Sequence, residues 1–168
     1  MTRVMYDAVS VPNVPAGATL VAGYDDGYYT DVAAFEARFP HAKVVPITVF
    51  ASDNLGTVLD VETGDATPAQ APGWVKMRRA AGVDPTVYCN SSTWDAVKAA
   101  FSIAGVAQPH YWIAQYDGIA VIPAGAIAKQ YSDPGPYDLS VVADYWPGVD
   151  PAPSPPPVQV HKLIEFGD

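Results

Sequence analysis

Eight short blocks of apolar and β-branched residues recur along this chain, and they constrain its fold more than any other feature. Several blocks are apolar almost continuously, which is typical of strands that are covered on both faces in a parallel sheet or a barrel. Eight such strands favour closure of the sheet into a ring. The predicted strands are residues 4–9, 19–24, 44–50, 57–61, 86–89, 111–115, 126–131 and 139–143.

Three helices are predicted from their start and stop signals. Thr30 is expected to cap the first, Pro68 to lie in the first turn of the second, and Ser92 to pair with Asp95 in a variant capping box before the third. All three are expected to pack on the outside of the strands. The predicted helices are residues 31–39, 68–82 and 93–104.

The remaining connections are too short, or too rich in proline and glycine, to form full helices. The sequence therefore predicts an α/β fold, a shortened (β/α) TIM-like barrel of about eight strands with only about three helices. A parallel pair without a helical crossover needs an extended connection. We therefore expect that some neighbouring strands pair antiparallel or that the ring is imperfect.

The barrel is expected to span residues 1–146 and to be followed by a linker and a tail. Residues 147–157 are rich in proline, which is typical of a stiff spacer of polyproline character. Residues 158–168 are too few to fold alone and are expected to dock on this barrel or on another subunit. The linker and tail together are the predicted attachment to an assembly partner.

Composition argues against several classes of function. Eighteen acidic and nine basic residues give a net charge of −9, which disfavours non-specific binding to nucleic acid or to anionic membranes. No stretch approaches the roughly 20 apolar residues of a membrane span, and the amino-terminal residues lack the apolar core of a signal peptide. We therefore expect cytoplasmic synthesis, with any export by another route.

Cysteine and histidine usage gives no sign of a metal or disulfide framework. Cys89 is the sole cysteine, and it is expected to be a small buried hydrophobic residue. His41, His110 and His161 are scattered without the spacing of metal ligands. No structural zinc site is expected.

The segment from Val58 to Thr63 places two carboxylates, Asp60 and Glu62, two residues apart in a run of strand character. Such residues share one face of a strand, with α-carbons roughly 6.5 Å apart. That spacing lets both acids flank one glycosidic bond. A solvated strand end is the alternative interpretation of the triplet.

Further blocks follow this motif in a definite order: Tyr111-Trp-Ile-Ala-Gln-Tyr116, Ala128-Lys-Gln-Tyr131 and Tyr137-Asp-Leu-Ser-Val-Val142. Taken together, the series resembles glycoside hydrolase family 25, the lysozyme-like N-acetylmuramidases, and the related glycoside-hydrolase-like domains of actinobacteria and their phages. The resemblance covers roughly residues 4 to 146, although this chain is shorter than the barrels of that family. The matching positions are Asp7, Asp60, Glu62, Trp112, Tyr116, Gln130 and Asp138.

The resemblance implies roles for four acids. Glu62 would be the general acid that protonates the leaving oxygen, and Asp60 would stabilise the 2-acetamido group of the sugar as it attacks its own anomeric carbon. Asp7 and Asp138 would tune charge and hold substrate or water, unless they cap neighbouring loops. Converging acids raise one another's pKa values, and we expect Glu62 to be the acid that stays protonated. No metal or organic cofactor is implied.

Aromatic side chains are predicted to form a stacking wall for a glycan, because their flat rings match the face of a sugar. Core packing is the alternative, above all for Trp112, while Trp74 and Trp94 are expected in the core because of their helical spacing. Asp25 and Asp26 are not predicted to be catalytic, since Asp26-Gly27 is a turn signal. The predicted substrate-binding residues are Tyr88, Trp112, Tyr116, Gln130 and Tyr131.

The resemblance implies an enzyme that cleaves peptidoglycan glycan strands between N-acetylmuramic acid and N-acetylglucosamine. A phage-encoded lysin that is released from the cell or carried on the virion would suit a chain without a signal peptide. The alternative is a catalytically silent barrel that binds cell-wall glycan or builds a virion or cell-surface structure. The short connections favour this alternative, whereas the four converging acids favour the enzyme.

Overall fold

A closed barrel of eight strands forms the centre of the molecule, as described by a computed structural model for residues 1–152. Three α-helices surround the strands in this part of the chain. The predicted fold class, a shortened TIM-like barrel with few helices, is confirmed. The strands are β1 Arg3–Asp7, β2 Leu20–Tyr24, β3 Lys43–Thr48, β4 Val58–Val61, β5 Thr86–Asn90, β6 His110–Ala114, β7 Ala128–Ser132 and β8 Asp138–Val142, and the helices are α1 Val32–Arg38, α2 Ala71–Ala80 and α3 Trp94–Ala104.

The strands follow one another around the barrel in chain order, but the last one is reversed. Strands β1 to β7 pair as parallel neighbours, whereas β8 is antiparallel to both β7 and β1. Residues 133–137 join β7 to β8, a connection that suits a hairpin and is too short for a helical crossover. Strand β8 therefore begins at the edge where the other strands end, so Asp138 lies opposite Asp7.

Apolar side chains at alternate strand positions fill the barrel interior. Trp146 follows β8 and is wholly buried at the amino-terminal end of the parallel strands, where its ring meets Trp112 edge-to-face at 5.7 Å. This end of the barrel is thus closed by packing. Other interior residues of this cluster include Met5, Leu20, Val45, Val58, Ala128 and Val142.

The helices cover the outer face of the barrel in two separate layers. Helices α2 and α3 pack on β4, β5 and β6, and α1 packs on β2 and β3. Trp74 and Cys89 are fully buried in the first layer, as predicted, and Trp94 is half-buried at its margin. These layers leave the carboxyl end of the parallel strands uncovered by helices.

The predicted caps of the first and third helices are wrong. Asp31, not Thr30, occupies the N-cap position of α1, and the Thr30 hydroxyl donates to a carbonyl oxygen of the preceding turn. Before α3, the Ser92 hydroxyl donates to the Asn90 side chain instead of pairing with Asp95. In both cases the nearer turn satisfies the hydroxyl, since serine and threonine hydrogen-bond readily to local groups.

The second helix begins later than predicted. It starts at Ala71, so Pro68 lies in the turn before the helix and not in its first helical turn. The Gln70 side-chain oxygen accepts hydrogen bonds from the backbone N–H of Thr67, at 2.9 Å, and from the Thr67 hydroxyl. These bonds close residues 67–70 into a turn of their own.

The folded unit extends beyond the boundary predicted at residue 146. Arg3 donates two hydrogen bonds to the Asp150 carboxylate, at 3.1 and 2.7 Å, and the backbone N–H of Trp146 donates a third at 2.7 Å. The start of the predicted linker is thus a turn that packs on the barrel. The rest of that linker, from residue 153, and the predicted tail 158–168 lie outside the described residues. Within residues 1–152, no helix has the length and apolar character needed to cross a membrane.

Candidate functional site

A cavity of about 160 Å³ opens at the carboxyl end of the parallel strands. Active sites of TIM-like barrels lie at this end, where side chains from many strands converge. Each of the eight strands, or the residues directly after it, contributes to the lining. The lining residues are Asp7, Tyr24, Ile47, Asp60, Glu62, Tyr88, Asn90, Trp112, Ala114, Tyr116, Gln130 and Asp138.

The structure brings all but one of the predicted site residues to this cavity. The exception is Tyr131, which follows Gln130 on β7 and does not line the cavity. The pairing of β7 with β8 is irregular between Gln130 and Ser132, so Tyr131 lies in a β-bulge. Successive residues of a strand face opposite sides, so with Gln130 facing the cavity the alternation argues against Tyr131, which was predicted only as part of an aromatic wall.

Asp60 is the most deeply buried acid of the cavity. Its side chain is 2 % exposed, and its Oδ1 atom has no hydrogen-bond partner among the described residues. Burial, followed by the nearby Glu62 carboxylate, raises the pKa of Asp60 to about 9. Asp60 is therefore neutral at pH 7, with an acceptor atom that faces no donor.

Glu62 lies at the rim, directly after β4, and its side chain is exposed. Partial desolvation and the neighbouring Asp65 carboxylate raise its pKa. The sequence prediction named Glu62 as the acid that stays protonated, but the pKa is raised further at Asp60, because Asp60 lies deeper in the barrel. Glu62 combines access to solvent with a pKa that is raised toward neutrality.

Asp7 and Asp138 face each other on the other side of the cavity. The Gln130 Nε2 group donates to both Asp7 oxygens, at 3.0 and 3.1 Å, and to Asp138 at 3.2 Å. Burial and the charge of Asp138 raise the pKa of Asp7 to about 8. Burial and the charge of Asp133 raise the pKa of Asp138 to about 6. The two acids therefore share one proton over much of the range between these values.

Gln130 connects these acids to two tyrosines. Its side-chain oxygen accepts hydrogen bonds from the hydroxyls of Tyr88 and Tyr116, both at 2.7 Å. Tyr88 is buried, whereas Tyr116 is 53 % exposed at the rim. The amide of Gln130 thus fixes the positions of two acids and two aromatic rings at once.

Trp112 forms the floor of the cavity and belongs to the core as well. Its side chain is 1 % exposed, and its indole N–H donates to the Ser140 hydroxyl at 3.0 Å. The Tyr88 ring meets the Trp112 ring edge-to-face at 4.8 Å. Both interpretations of Trp112 therefore hold in part, since it lines the cavity from within the packed interior.

Sequence reasoning missed several residues of the site, and Tyr24 and Asp65 are those that affect its electrostatics. Tyr24 ends β2 and lines the cavity, where burial and then the Asp60 carboxylate raise the pKa of its hydroxyl. Asp65 returns toward Glu62 through the turn at Gly64, which has a φ of 101°. The segment Glu-Thr-Gly-Asp, a turn with acids at both ends, was the available signal.

Asp26 has a structural role. Its carboxylate accepts the backbone N–H groups of Val49, at 2.7 Å, and Phe50, at 3.2 Å. It therefore joins the loop after β2 to the loop after β3, in agreement with its exclusion from the predicted catalytic residues.

Asp60, Glu62 and Asp65 are the residues of the site that could hold a cation. Each offers one carboxylate oxygen, and these oxygens lie within 4.8 Å of one another. Oxygen ligands of this kind suit Ca²⁺ or Mg²⁺. Glu62 is also the candidate general acid, and Asp60 is the candidate partner of the acetamido group. A proton and a cation would therefore compete for their carboxylate oxygens.

Comparison of the chain with protein-family models, with curated proteins and with solved structures finds no match. The resemblance to glycoside hydrolase family 25 therefore rests on the sequence motifs.

Proposed function

We propose that this barrel is a peptidoglycan-cleaving glycoside hydrolase, similar to the family 25 N-acetylmuramidases. The observation that carries this proposal is the buried Asp60 carboxyl, whose Oδ1 has no partner among the described residues. A buried acceptor without a donor is costly, and such atoms in proteins call for a functional explanation. The N–H of a sugar acetamido group would supply the missing donor.

The proposed reaction uses the substrate's own acetamido oxygen as the nucleophile. Glu62 protonates the glycosidic oxygen of the leaving sugar while the acetamido oxygen attacks the anomeric carbon, so that the glycosidic bond breaks and a cyclic oxazolinium ion forms. Asp60 accepts the acetamido N–H, and this hydrogen bond strengthens in the transition state as positive charge develops on the acetamido group. Water then opens the oxazolinium ion, and the Glu62 carboxylate takes up the proton of that water and is restored as the acid.

The position of Glu62 suits cleavage within a polymer. Its side chain lines three cavities: the central one, one beside residues 61–68 and one beside Tyr24, Tyr28 and Tyr29. A glycan that crosses the barrel mouth would therefore have sugars on both sides of Glu62. Exposure of Glu62 to solvent also allows its proton to be replaced after each turnover.

Asp7 and Asp138 support the same proposal from the opposite wall. Gln130 holds both carboxyls in place, and a shared proton between them limits the negative charge of the cavity. A lower charge on this wall keeps the pKa of Asp60 from rising further, since the Asp7 carboxylate also contributes to that pKa. We infer that these two acids tune charge and hold the sugar or the attacking water.

Glycan binding without turnover is the second candidate function, and the size of the central cavity favours it. Its volume of about 160 Å³ lies below the roughly 300–1,000 Å³ of typical ligand pockets. A shallow site of this kind would contact few sugar rings at once. The same aromatic and acidic residues would then recognise the cell wall without cleaving it.

Digestion of purified peptidoglycan distinguishes the two functions. We expect the protein to release fragments with new muramic acid reducing ends, and Glu62→Gln to slow this release roughly 100-fold or more, because a general acid contributes at least that much. Glu36→Gln is the matched control, since Glu36 is an exposed acid on α1 that does not line the central cavity. Sedimentation with the cell wall without new reducing ends would establish binding alone.

A further inference from the structure

Two tyrosines beside the barrel mouth project into solvent. Tyr28 is 92 % exposed and Tyr29 is 51 % exposed. Both lie in the loop between β2 and α1, and their rings meet edge-to-face with centroids 5.0 Å apart. Large apolar groups that are exposed together commonly mark a binding surface.

The loop that carries these rings is held in place by specific contacts. Asp26 accepts the backbone N–H of Val49 at 2.7 Å, and Asp31 accepts the backbone N–H of Tyr24 at 2.7 Å. Gly27 has a φ of 81°, and a Cβ atom at this position would lie 2.7 Å from the Val49 side chain. The two rings are therefore presented by an ordered loop, which lowers the entropic cost of binding a ligand.

The surface formed by Tyr28 and Tyr29 is continuous with the candidate active site. The two rings line a cavity of about 270 Å³ that shares Tyr24 and Glu62 with the central cavity. A chain of sugars could therefore pass from Glu62 to these rings without leaving the protein surface. Tyrosine rings match the apolar face of a sugar, and their hydroxyls can bond its polar edge.

The charges around the rings restrict which sugar fits. All charged residues that line this cavity are acids: Asp26, Glu62 and Asp65. In peptidoglycan the lactyl group of N-acetylmuramic acid carries the stem peptide through an amide bond, and the carboxylates of that peptide would be repelled by these acids. N-acetylglucosamine, the other sugar of the glycan strand, carries no charge.

We propose that Tyr28 and Tyr29 form a sugar-binding platform for the uncharged N-acetylglucosamine ring next to the cleaved bond, an inference that rests on the proposed function. The platform holds the glycan strand across the rim at Glu62. It supplies contact area for the glycan that the small central cavity lacks.

Calorimetric titration with an N-acetylglucosamine tetrasaccharide tests the platform. We expect Tyr28→Ala and Tyr29→Ala to weaken binding, together by roughly tenfold or more, as for aromatic anchors at other interfaces. Tyr28→Phe should bind almost as well as the parent protein because it keeps the ring. Ile103→Ala is the matched control, since Ile103 is 87 % exposed on α3 and lines none of the cavities at the mouth.

Parallel assays of peptidoglycan cleavage separate failure of the platform from failure of the proposed function. If the alanine variants bind the tetrasaccharide as tightly as the parent protein, the platform is overturned whether or not cleavage occurs. Weaker binding by the alanine variants without cleavage by the parent supports the platform and contradicts the hydrolase. Self-association that Tyr28→Ala abolishes, with unchanged sugar affinity, would instead assign the surface to a second copy of the chain and overturn the platform. A parent protein that neither binds nor cleaves contradicts both.

Discussion

Asp7 and Asp138 lie directly opposite each other on the antiparallel strands β1 and β8, and one Gln130 amide donates to both carboxyls. This pairing depends on the reversal of β8. In a barrel with eight parallel strands, the first residue of β8 would lie at the closed end. The reversal therefore places Asp138 at the open end of the barrel, beside the other three predicted acids.

Stability should fall as the pH rises from 5 to 9. The pKa values of Asp7 and Asp60, about 8 and about 9 in the folded chain, exceed the ordinary value of 3.8. The folded state then binds more protons than the unfolded state between these limits, so the free energy of unfolding decreases with pH. Thermal denaturation should show a melting temperature roughly 5 °C or more lower at pH 9 than at pH 5. A melting temperature that is equal or higher at pH 9 would contradict the raised pKa values.

The Asp60→Asn variant should be more stable than the parent protein at pH 8, although less active. The amide has a similar shape and avoids the cost of burying an ionisable acid, a gain of about 1–3 kcal/mol. Denaturant unfolding at pH 5 and pH 8 measures this gain, which should be larger at pH 8. Asp95→Asn is the control, because the Asp95 side chain is 95 % exposed and is not among the causes of the raised pKa of Asp60. Equal stability changes at the two pH values would contradict ionisation of Asp60 as the cause.

The pH dependence of cleavage should shift when Asp65 is neutralised. Glu62 must be protonated to act as an acid, so the rate falls as the pH rises through its pKa. The Asp65 carboxylate raises this pKa, and Asp65→Asn should therefore move the alkaline limb of the rate profile to lower pH. Asp133→Asn serves as the control, because Asp133 acts on Asp7 and Asp138 and is not among the causes of the Glu62 shift. An unmoved limb, or the same movement in both variants, would argue against Glu62 as the acid.

Cleavage should not require a divalent cation. The oxygens of Asp60, Glu62 and Asp65 can bind Ca²⁺ or Mg²⁺, but the proposed reaction needs a proton on Glu62. Removal of cations with EDTA should leave the rate unchanged, and millimolar Ca²⁺ should slow the reaction by competing with that proton. A loss of activity in EDTA that Ca²⁺ restores would instead make this cluster a catalytic metal site.

Much of the barrel was predictable from the sequence because its strands are buried on both faces. Continuous apolar runs identified all eight strands, and the short connections after them indicated that few helices could form. Helix starts were less predictable. The competing bonds of Thr30, Gln70 and Ser92 depend on the turns around them, which local propensity does not specify.

The candidate site was predictable where strand alternation decides the direction of a side chain. Asp60 and Tyr88 face the cavity for this reason, and the same alternation excludes Tyr131, because the residue before it, Gln130, faces the cavity. The role of Gln130 as the common partner of two acids could not be predicted, since it depends on contacts between residues far apart in the chain. The contribution of Asp65 likewise depends on the path of the turn at Gly64.

The anomeric configuration of the first product shows whether an acetamido group held by Asp60 is the nucleophile. Proton NMR of soluble glycan strands, recorded in the first minutes of digestion, would follow the new muramic acid ends. We expect the β anomer, because attack by the acetamido oxygen and then by water inverts the anomeric carbon twice. The α anomer would show direct attack by water and would contradict the account.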